Sequence, residues 1–435
     1  MKSEILETSI SAHTLKIDND RLHQSIAELA AIGALPEGGI RRLAFSHEDI
    51  KARDIVRQRM LAAGMSTTVD TAGNLIGHYP GYYTEAPALA TGSHLDSVPA
   101  GGIYDGTYGV LAGLEVVQTL FDNNIRLAHP VEVIVFTDEE STMIGSKAMS
   151  GQAPLDTDSY AGAAIQTHLS RVGGSWENLL SARRNTHDFA AFVELHIEQG
   201  PVLEAAGNPI GLVTGIVGQR RYLITIDGRA SHAGTTPMAM RQDALVAASQ
   251  VALAVHHIGH TKDNIISGDQ VATVGSLELK PSVANTIPGR AEMTVDMRDL
   301  SNDCLDRMVE MLEAAIDKIA IATQTRIQVQ PKLRNEPAPV NSHIHSTIAT
   351  VCSALGLETH SLPSRASHDA QNMASITDMG MIFVPSQCGL SHSSAEYTSP
   401  EHCAQGANVL LHTLIQLDRH YRCRWETAAL QEAAG

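Results

Sequence analysis

His94 and Asp96 stand two residues apart in Gly92-Ser-His-Leu-Asp-Ser, closing an apolar, strand-like run over residues 88–91. Asp105 follows in a glycine-rich loop, and the pair Glu139-Glu140 ends a second apolar run, 131–137, within Asp138-Glu-Glu. His196 lies in Glu194-Leu-His-Ile-Glu-Gln-Gly, and His392 in Gly389-Leu-Ser-His-Ser-Ser-Ala-Glu-Tyr. Imidazoles mixed with carboxylates suit borderline or hard divalent ions, and His94, Asp105, Glu140, His196 and His392 together offer donors for two. A parallel sheet delivers its functional groups at the carboxyl ends of its strands, so residues far apart in sequence can converge there. Neighbouring side chains at a strand end point different ways, which lets one carboxylate of Glu139-Glu140 hold metal while the other faces substrate. An acidic tract ending a buried strand is costly unless it meets cations or water. The two-residue spacing puts Asp96 beside His94, where its carboxylate would fix the tautomer of a ligating ring through the second nitrogen. Taken singly, His-x-Asp and the Glu pair each also read as solvated strand ends. His256, His257 and His260 at a helix end, and His343 and His345 in a loop, have no acidic companions and read as surface or capping residues.

Strands and helices must alternate to bring these groups together. Ser46-His-Glu-Asp49 has capping-box spacing and predicts a structural helix running to Gly64. Strands over 88–92, 131–137 and 192–196 alternate with helices over 109–120 and after Gly145, a pattern that predicts an α/β fold with a mostly parallel sheet and helices on both faces. The middle of the chain differs: strand 221–229, helix 241–258, strands 271–280 and 290–299, helix 302–322, strand 326–330. That βαββαβ order is the split-βαβ, ferredoxin-like α+β arrangement. It is read as a domain over 217–331, entered after the glycine-rich stretch 211–218 and left near Pro331, within a larger domain of 1–216 and 332–435. The α/β pattern then resumes with helix 347–355, strand 380–384 and a long helix from about Glu401.

A chain of 435 residues exceeds one ordinary core, and 43% apolar residues can fill two. Acidic residues outnumber basic ones 48 to 31, and the formal charge of -17 disfavours a nucleic-acid surface. Small molecules and cations are the expected partners. Residues 1–20 hold no apolar core of signal-peptide length, and no apolar run approaches membrane-spanning length, so a cytoplasmic protein with no membrane partner is expected. Cys304, Cys352, Cys388, Cys403 and Cys423 are dispersed without Cys-x-x-Cys spacing, as for reduced thiols.

These motifs, with Tyr104-Asp-Gly106, Ser231-His-Ala-Gly-Thr-Thr-Pro-Met, Asn285-Thr-Ile-Pro-Gly and Asp296-Met-Arg298, resemble the M20 metallopeptidase superfamily from about residue 20 to about 415. More narrowly the chain is similar to its amidase branch: N-carbamoyl-L-amino acid hydrolases, allantoate amidohydrolases and β-ureidopropionases. Leu195-His-Ile-Glu-Gln-Gly-Pro is the most specific piece. The resemblance implies two divalent ions per subunit, with zinc, manganese, cobalt and nickel all compatible. It implies that His94 and His196 hold one, Glu140 and His392 the other, that Asp105 bridges, and that Glu139 is the catalytic base. It makes the inserted domain a dimerisation or lid domain and the protein a homodimer through it. It assigns Gln199, His232, Asn285 and Arg298 to substrate binding, with His232 also catalytic and supplied by the other subunit. Structural readings stand beside these: a turn cap for His232, an Asx turn before Pro288 for Asn285, a surface ion pair with Asp296 or Asp299 for Arg298.

The implied activity is hydrolysis of the carbamoyl C–N bond of an N-carbamoyl-L-amino acid or similar small carboxylate. Allantoate or ureidoglycolate hydrolysis is the nearest alternative, then aminoacylase or dipeptidase action, and last a non-catalytic metal-binding dimer. Two features depart from the amidase pattern. The Gly-Ser-Arg-Phe that usually follows the Glu pair is replaced by Ser141-Thr-Met-Ile, which reaches Gly145-Ser146 several residues early, and Ser367 stands where glycine is common, two residues after Arg365.

Overall fold

The computed structural model describes residues 15–160, 162, 164–266 and 269–432; the reading of residues 1–14 lies outside them. The chain divides into two compact units, Met1–Thr214 with Pro339–Gly435, and Gly215–Ala338. In chain order the strands before the division are β1 (Ser66–Val69), β2 (Leu75–Tyr79), β3 (Ala88–His94), β4 (Val131–Phe136), β5 (Phe189–Ile197) and β6 (Ile210–Ile216). Then come β7 (Gly218–Asp227), β8 (Ser231–His232), β9 (Val271–Lys280), β10 (Thr286–Ile287), β11 (Arg290–Asp299), β12 (Arg326–Asn335), β13 (Ala338–Pro339), β14 (Thr359–Ser364) and β15 (Met379–Val384).

The first unit is built on a sheet ordered β1-β2-β4-β3-β5-β15-β6-β13, with β14 beside β6. Its centre, β4-β3-β5-β15, is parallel, while β1 pairs antiparallel with β2, β2 with β4, and β6 with β15. The central strands Ala-Leu-Ala-Thr-Gly-Ser-His and Val-Glu-Val-Ile-Val-Phe are buried at every position, as strands covered on both faces must be. Helices Thr107–Asp122 and Pro400–Glu432 pack against the sheet, and their leucines and valines join those of β3, β4 and β5 in one core. The expected cap is in place: Ser46 Oγ accepts the Asp49 N–H at 3.2 Å and opens the helix His47–Ala62.

The second unit is a four-stranded antiparallel sheet, β12-β7-β11-β9, with two helices, Ala244–Gly259 and Asn302–Thr323. Alternate residues of β11, Ala291, Met293, Val295 and Met297, are buried with the apolar stripes of the helices, so Glu292, Thr294, Asp296 and Arg298 share the opposite face. Beyond Gly228 and Gly289 the antiparallel β7 and β11 pair continues as the short pair β8 and β10.

The structure differs from the sequence expectation at two places. Pro331 does not end the last strand of the insert, because β12 runs on to Asn335 with a register shift between Pro331 and Leu333. As an edge strand it can hold a proline without losing an inner ladder hydrogen bond. His343 and His345 are not loop residues; they lie in the first turn of the helix Ser342–Ala354, whose start is set by Asn341 Oδ1 accepting the N–H of His343 and Ile344. Among the described residues no helix is long and apolar enough to cross a membrane.

Candidate metal centre

The parallel register brings the first ligand candidates to one edge. His94 pairs with Phe136, so β3 ends level with the Asp138-Glu139-Glu140 tract, and His196 sits near the same end of β5. The His94 Nδ1–H donates to the Asp96 carbonyl at 2.9 Å, and the His196 Nδ1–H to the Ile197 carbonyl at 2.9 Å. Both rings therefore aim Nε2 inward. His94 Nε2 is 3.5 Å from Asp105 Oδ1 and 3.6 Å from Glu139 Oε2, and His196 Nε2 is 3.2 Å from Asp105 Oδ1. Gly106 has φ of 63°, and a Cβ there would lie 2.4 Å from the His94 ring, so only glycine leaves room for that imidazole.

The other carboxylate oxygen of Asp105 serves a second group. Oδ2 lies 3.3 Å from His392 Nε2, which in turn lies 3.3 Å from Glu140 Oε2. His94, Asp105 and His196 form one triad, and Asp105, Glu140 and His392 another, each with its donor atoms within 4.8 Å of one another. Imidazole nitrogen and carboxylate oxygen, fixed by backbone acceptors and shared through one aspartate, fit divalent cations. Asp138, Met143, Gln199 and His392, all outside helices and strands, hold non-glycine φ angles of 52–58°, the kind of strain that concentrates at functional sites.

The electrostatics point the same way. Burial alone would raise the Asp105 carboxyl, but hydrogen bonds from His196, His392 and His94 carry it well below its usual range. His392 is pushed up to about 10 by its bonds to Asp105 and Glu140. Burial lowers the His94 and His196 imidazoles, yet the surrounding carboxylates, Glu139 and Asp105 for His94 and Asp105 for His196, raise both on balance. Burial drives Glu139 well above the ordinary carboxyl range, opposed by the neighbouring His94. The acidic groups thus hold positive charge at these nitrogens, which is the field a cation site requires.

One supporting role differs from the sequence reading. The Asp96 carboxylate does not fix the His94 tautomer, since the backbone carbonyl of Asp96 does so and Oδ1 stands 3.9 Å from Nδ1. The strand ends at His94, so two-residue alternation no longer applies at Asp96. Its carboxylate instead accepts the N–H of Glu139 at 3.4 Å and of Glu140 at 3.2 Å, pinning the loop that carries both.

Several positioning residues went unnoticed in the sequence. Glu396, four residues beyond His392, accepts the N–H of Tyr104 at 2.9 Å and of Asp105 at 3.0 Å on Oε1, and the Ser391 hydroxyl at 2.8 Å on Oε2. Ser391 Oγ also lies 2.9 Å from Asp105 Oδ2. Arg42, fully buried, donates to the carbonyls of Leu95 at 2.6 Å and Leu29 at 2.9 Å and to Thr107 Oγ1 at 2.7 Å, tying together the loops after His94 and after Asp105. Burial lowers its guanidinium to about 10. A third triad, Glu194, His196 and His368, is already satisfied by protein donors: Glu194 accepts from Ser93 Oγ and the Ala370 N–H, each at 2.9 Å, and His368 Nε2 meets Ser364 Oγ at 3.0 Å.

Gln199, expected to bind substrate, donates from Nε2 to Asp105 Oδ2 at 2.8 Å and so braces the shared carboxylate. In the second unit, His232 and Asn285 are neighbours on the β8 and β10 pair, where the Ala233 N–H donates to the Asn285 carbonyl. The turn-cap reading of His232 is realised, since Nδ1 accepts the N–H of Gly234 at 3.1 Å and of Thr235 at 3.2 Å. The ion-pair reading of Arg298 is realised with Asp296, Nε to Oδ1 at 2.8 Å. Arg298 lies opposite Gln219, at the far end of β11 from Arg290 and the His232 hairpin. Eight residues of strand separate Arg298 from Arg290, about 26 Å at the usual rise per residue, and His232 lies beyond that. Within one copy of this unit, His232 and Arg298 are therefore too far apart to meet one small molecule.

The chain is 40% identical over 409 residues to the N-carbamoyl-L-amino acid amidohydrolase of Geobacillus stearothermophilus, covering 92% of this chain and 99% of that one. It is 34% identical to the allantoate amidohydrolase of Bacillus subtilis, covering 89% and 95%. The crystal structure of an amidase of the hydantoinase/carbamoylase family from Burkholderia multivorans superposes with a TM-score of 0.85 at 36% identity, covering 93% of this chain and 99% of that one. The profile of peptidase family M20/M25/M40 matches residues 90–416, which include every ligand candidate, and the chain belongs to that family.

Proposed function

We propose that this protein is a metal-dependent amidohydrolase that cleaves the carbamoyl C–N bond of an N-carbamoyl-L-amino acid. The observation that carries the reading is the division of Asp105, one oxygen toward His94 and His196 and the other toward His392, with Glu139 against the same edge. The donor set suits two divalent ions per chain, of which His94 and His196 would hold one and Glu140 and His392 the other, with Asp105 offering an oxygen to each. When bound, such ions lower the pKa of water and polarise a substrate carbonyl.

The chain's own residues supply the rest. Glu139 accepts a proton from the attacking water as its oxygen adds to the ureido carbon, and returns that proton to the amino-acid nitrogen as the C–N bond breaks. The products are the amino acid and carbamic acid, which decomposes to ammonia and carbon dioxide. Nε2–H of His232 donates to the developing oxyanion. Asn285, beside it immediately before β10, contacts the same end of the substrate. Arg298 holds the substrate carboxylate, for which a planar guanidinium is well matched.

The intra-unit separation of His232 and Arg298 supports supply of the two from different copies of the chain. So does the edge of the second unit: among the described residues β9 is paired on one side only, and Leu277 on it, with Val246 and Leu253 on the helix Ala244–Gly259, is exposed. An open, apolar strand edge is a template for pairing with a second copy. The higher identity to an N-carbamoyl-L-amino acid amidohydrolase, 40% against 34% for an allantoate amidohydrolase, supports that substrate class as the first to test. Purified protein assayed against N-carbamoyl-amino acids, allantoate, ureidoglycolate and N-acetyl-amino acids tests this directly. The highest kcat/KM is expected on an N-carbamoyl-L-amino acid, and preference for an N-acetyl substrate or turnover of none would overturn it.

A further inference from the structure

The loop after His232 is tied more tightly than a surface turn requires. Thr236 N–H returns to the His232 carbonyl at 3.2 Å, and the Gly234 and Thr235 N–H groups both point at His232 Nδ1. Two carbonyls of this loop, Ala233 and Thr236, are taken by a single side chain: Arg241 donates Nη2 to the Ala233 carbonyl at 2.6 Å and Nε to the Thr236 carbonyl at 3.1 Å. Glycine at 234 leaves room for the ring, since a Cβ there would lie 3.3 Å from His232 Cε1.

This arrangement selects one form of the imidazole. A proton on Nδ1 would displace both backbone donors, so the neutral ring must carry its hydrogen on Nε2, the nitrogen turned away from the loop. That form is a donor, as stabilising an oxyanion demands. The two N–H groups stay aimed at Nδ1 only while their loop keeps its shape, and the carbonyls on either side of those amides are the ones Arg241 grips. A rigid guanidinium fork can hold two carbonyls at fixed spacing, which an ammonium cannot.

We propose that Arg241 is a positioning residue for catalysis: by clamping the Ala233 and Thr236 carbonyls it locks His232 in the Nε2–H tautomer and in place to donate. The inference rests on His232 acting as oxyanion donor, and its test separates the two ideas. Full-length protein with ring-15N-labelled histidine is compared with Arg241→Gln, the His232 signals being identified by their loss in His232→Gln. In the parent protein His232 should show an unprotonated Nδ1 and a protonated Nε2, and in Arg241→Gln a mixture of tautomers. The same variant should lose about tenfold or more in kcat, less than removal of a whole oxyanion donor costs, with KM nearly unchanged. Arg241→Lys, which offers one compact ammonium to two carbonyls, is read alongside it, so that poor folding of the glutamine variant does not leave the question open; it should also mix tautomers. An unchanged single tautomer in a folded Arg241 variant would overturn the clamp. Mixed tautomers with full kcat would leave the clamp standing and overturn the donor role of His232.

Discussion

Asp105 Oδ1 faces His196 Nε2 at 3.2 Å, whereas its other oxygen turns to His392 at 3.3 Å. One carboxylate shared in this way is the hinge of the whole centre, and its orientation is set from 291 residues away by Glu396, which accepts the Asp105 N–H. Groups that orient ligands in this manner commonly matter about 10- to 100-fold.

Glu396→Gln should therefore bind metal about 10- to 100-fold more weakly. The amide can still accept the two backbone N–H groups on its oxygen, but the Ser391 bond reverses, the NH2 donating to the hydroxyl oxygen, and the negative charge beside the Asp105 loop is lost. Metal affinity measured by competition with a chromophoric chelator decides this, and unchanged affinity would show that the Tyr104–Asp105 loop holds its shape without Glu396.

Glu139→Gln keeps the shape of the side chain and removes the base. Metal content should persist while kcat falls by about two to four orders of magnitude. Elemental analysis and initial rates on the same sample check both halves, and a nearly parental rate would assign proton transfer elsewhere.

Arg298→Lys preserves charge but not the fork, and it loosens the Asp296 pair as well. We expect kcat/KM on carboxylate substrates to drop about tenfold, with less change on a substrate whose carboxylate is amidated. Equal loss on both substrates would make Arg298 structural.

What the sequence revealed and what it hid follow from the range of the interactions. His94, Glu140 and His196 could be read because each follows or ends a run of buried strand residues, and parallel strands end together. Asp105 and His392 lie outside strands but carry ligand chemistry in glycine-rich surroundings. Glu396 and Arg42 gave no such signal, because their partners at Tyr104, Asp105, Leu95 and Thr107 become neighbours only through folding. At Asp96 two-residue alternation does not hold, because β3 has already ended at His94. β1 and β2, joined by a turn that Asp70 holds through the N–H groups of Ala72 and Asn74, are too short to show periodicity. In the insert, long amphipathic elements kept their pattern, and the error fell at Pro331, where an edge position overrode the usual meaning of proline.

Mixed oligomers test whether His232 acts on a neighbouring copy. His232→Ala and Glu139→Gln homodimers should both be nearly inactive. After random exchange of equal amounts, half the dimers are mixed and half their sites intact, so about a quarter of parental activity should return. Exchange verified by mass without any recovery would place His232 with its own chain or outside catalysis.

The shared Asp105 is tested most directly by adding divalent ions to chelated protein while following hydrolysis of an N-carbamoyl-L-amino acid. Activity should be absent after chelation and reach its maximum as bound metal approaches two ions per chain, with zinc, manganese, cobalt and nickel tried separately. Full turnover by protein that retains no metal, or a maximum with no more than a trace bound, would contradict the account.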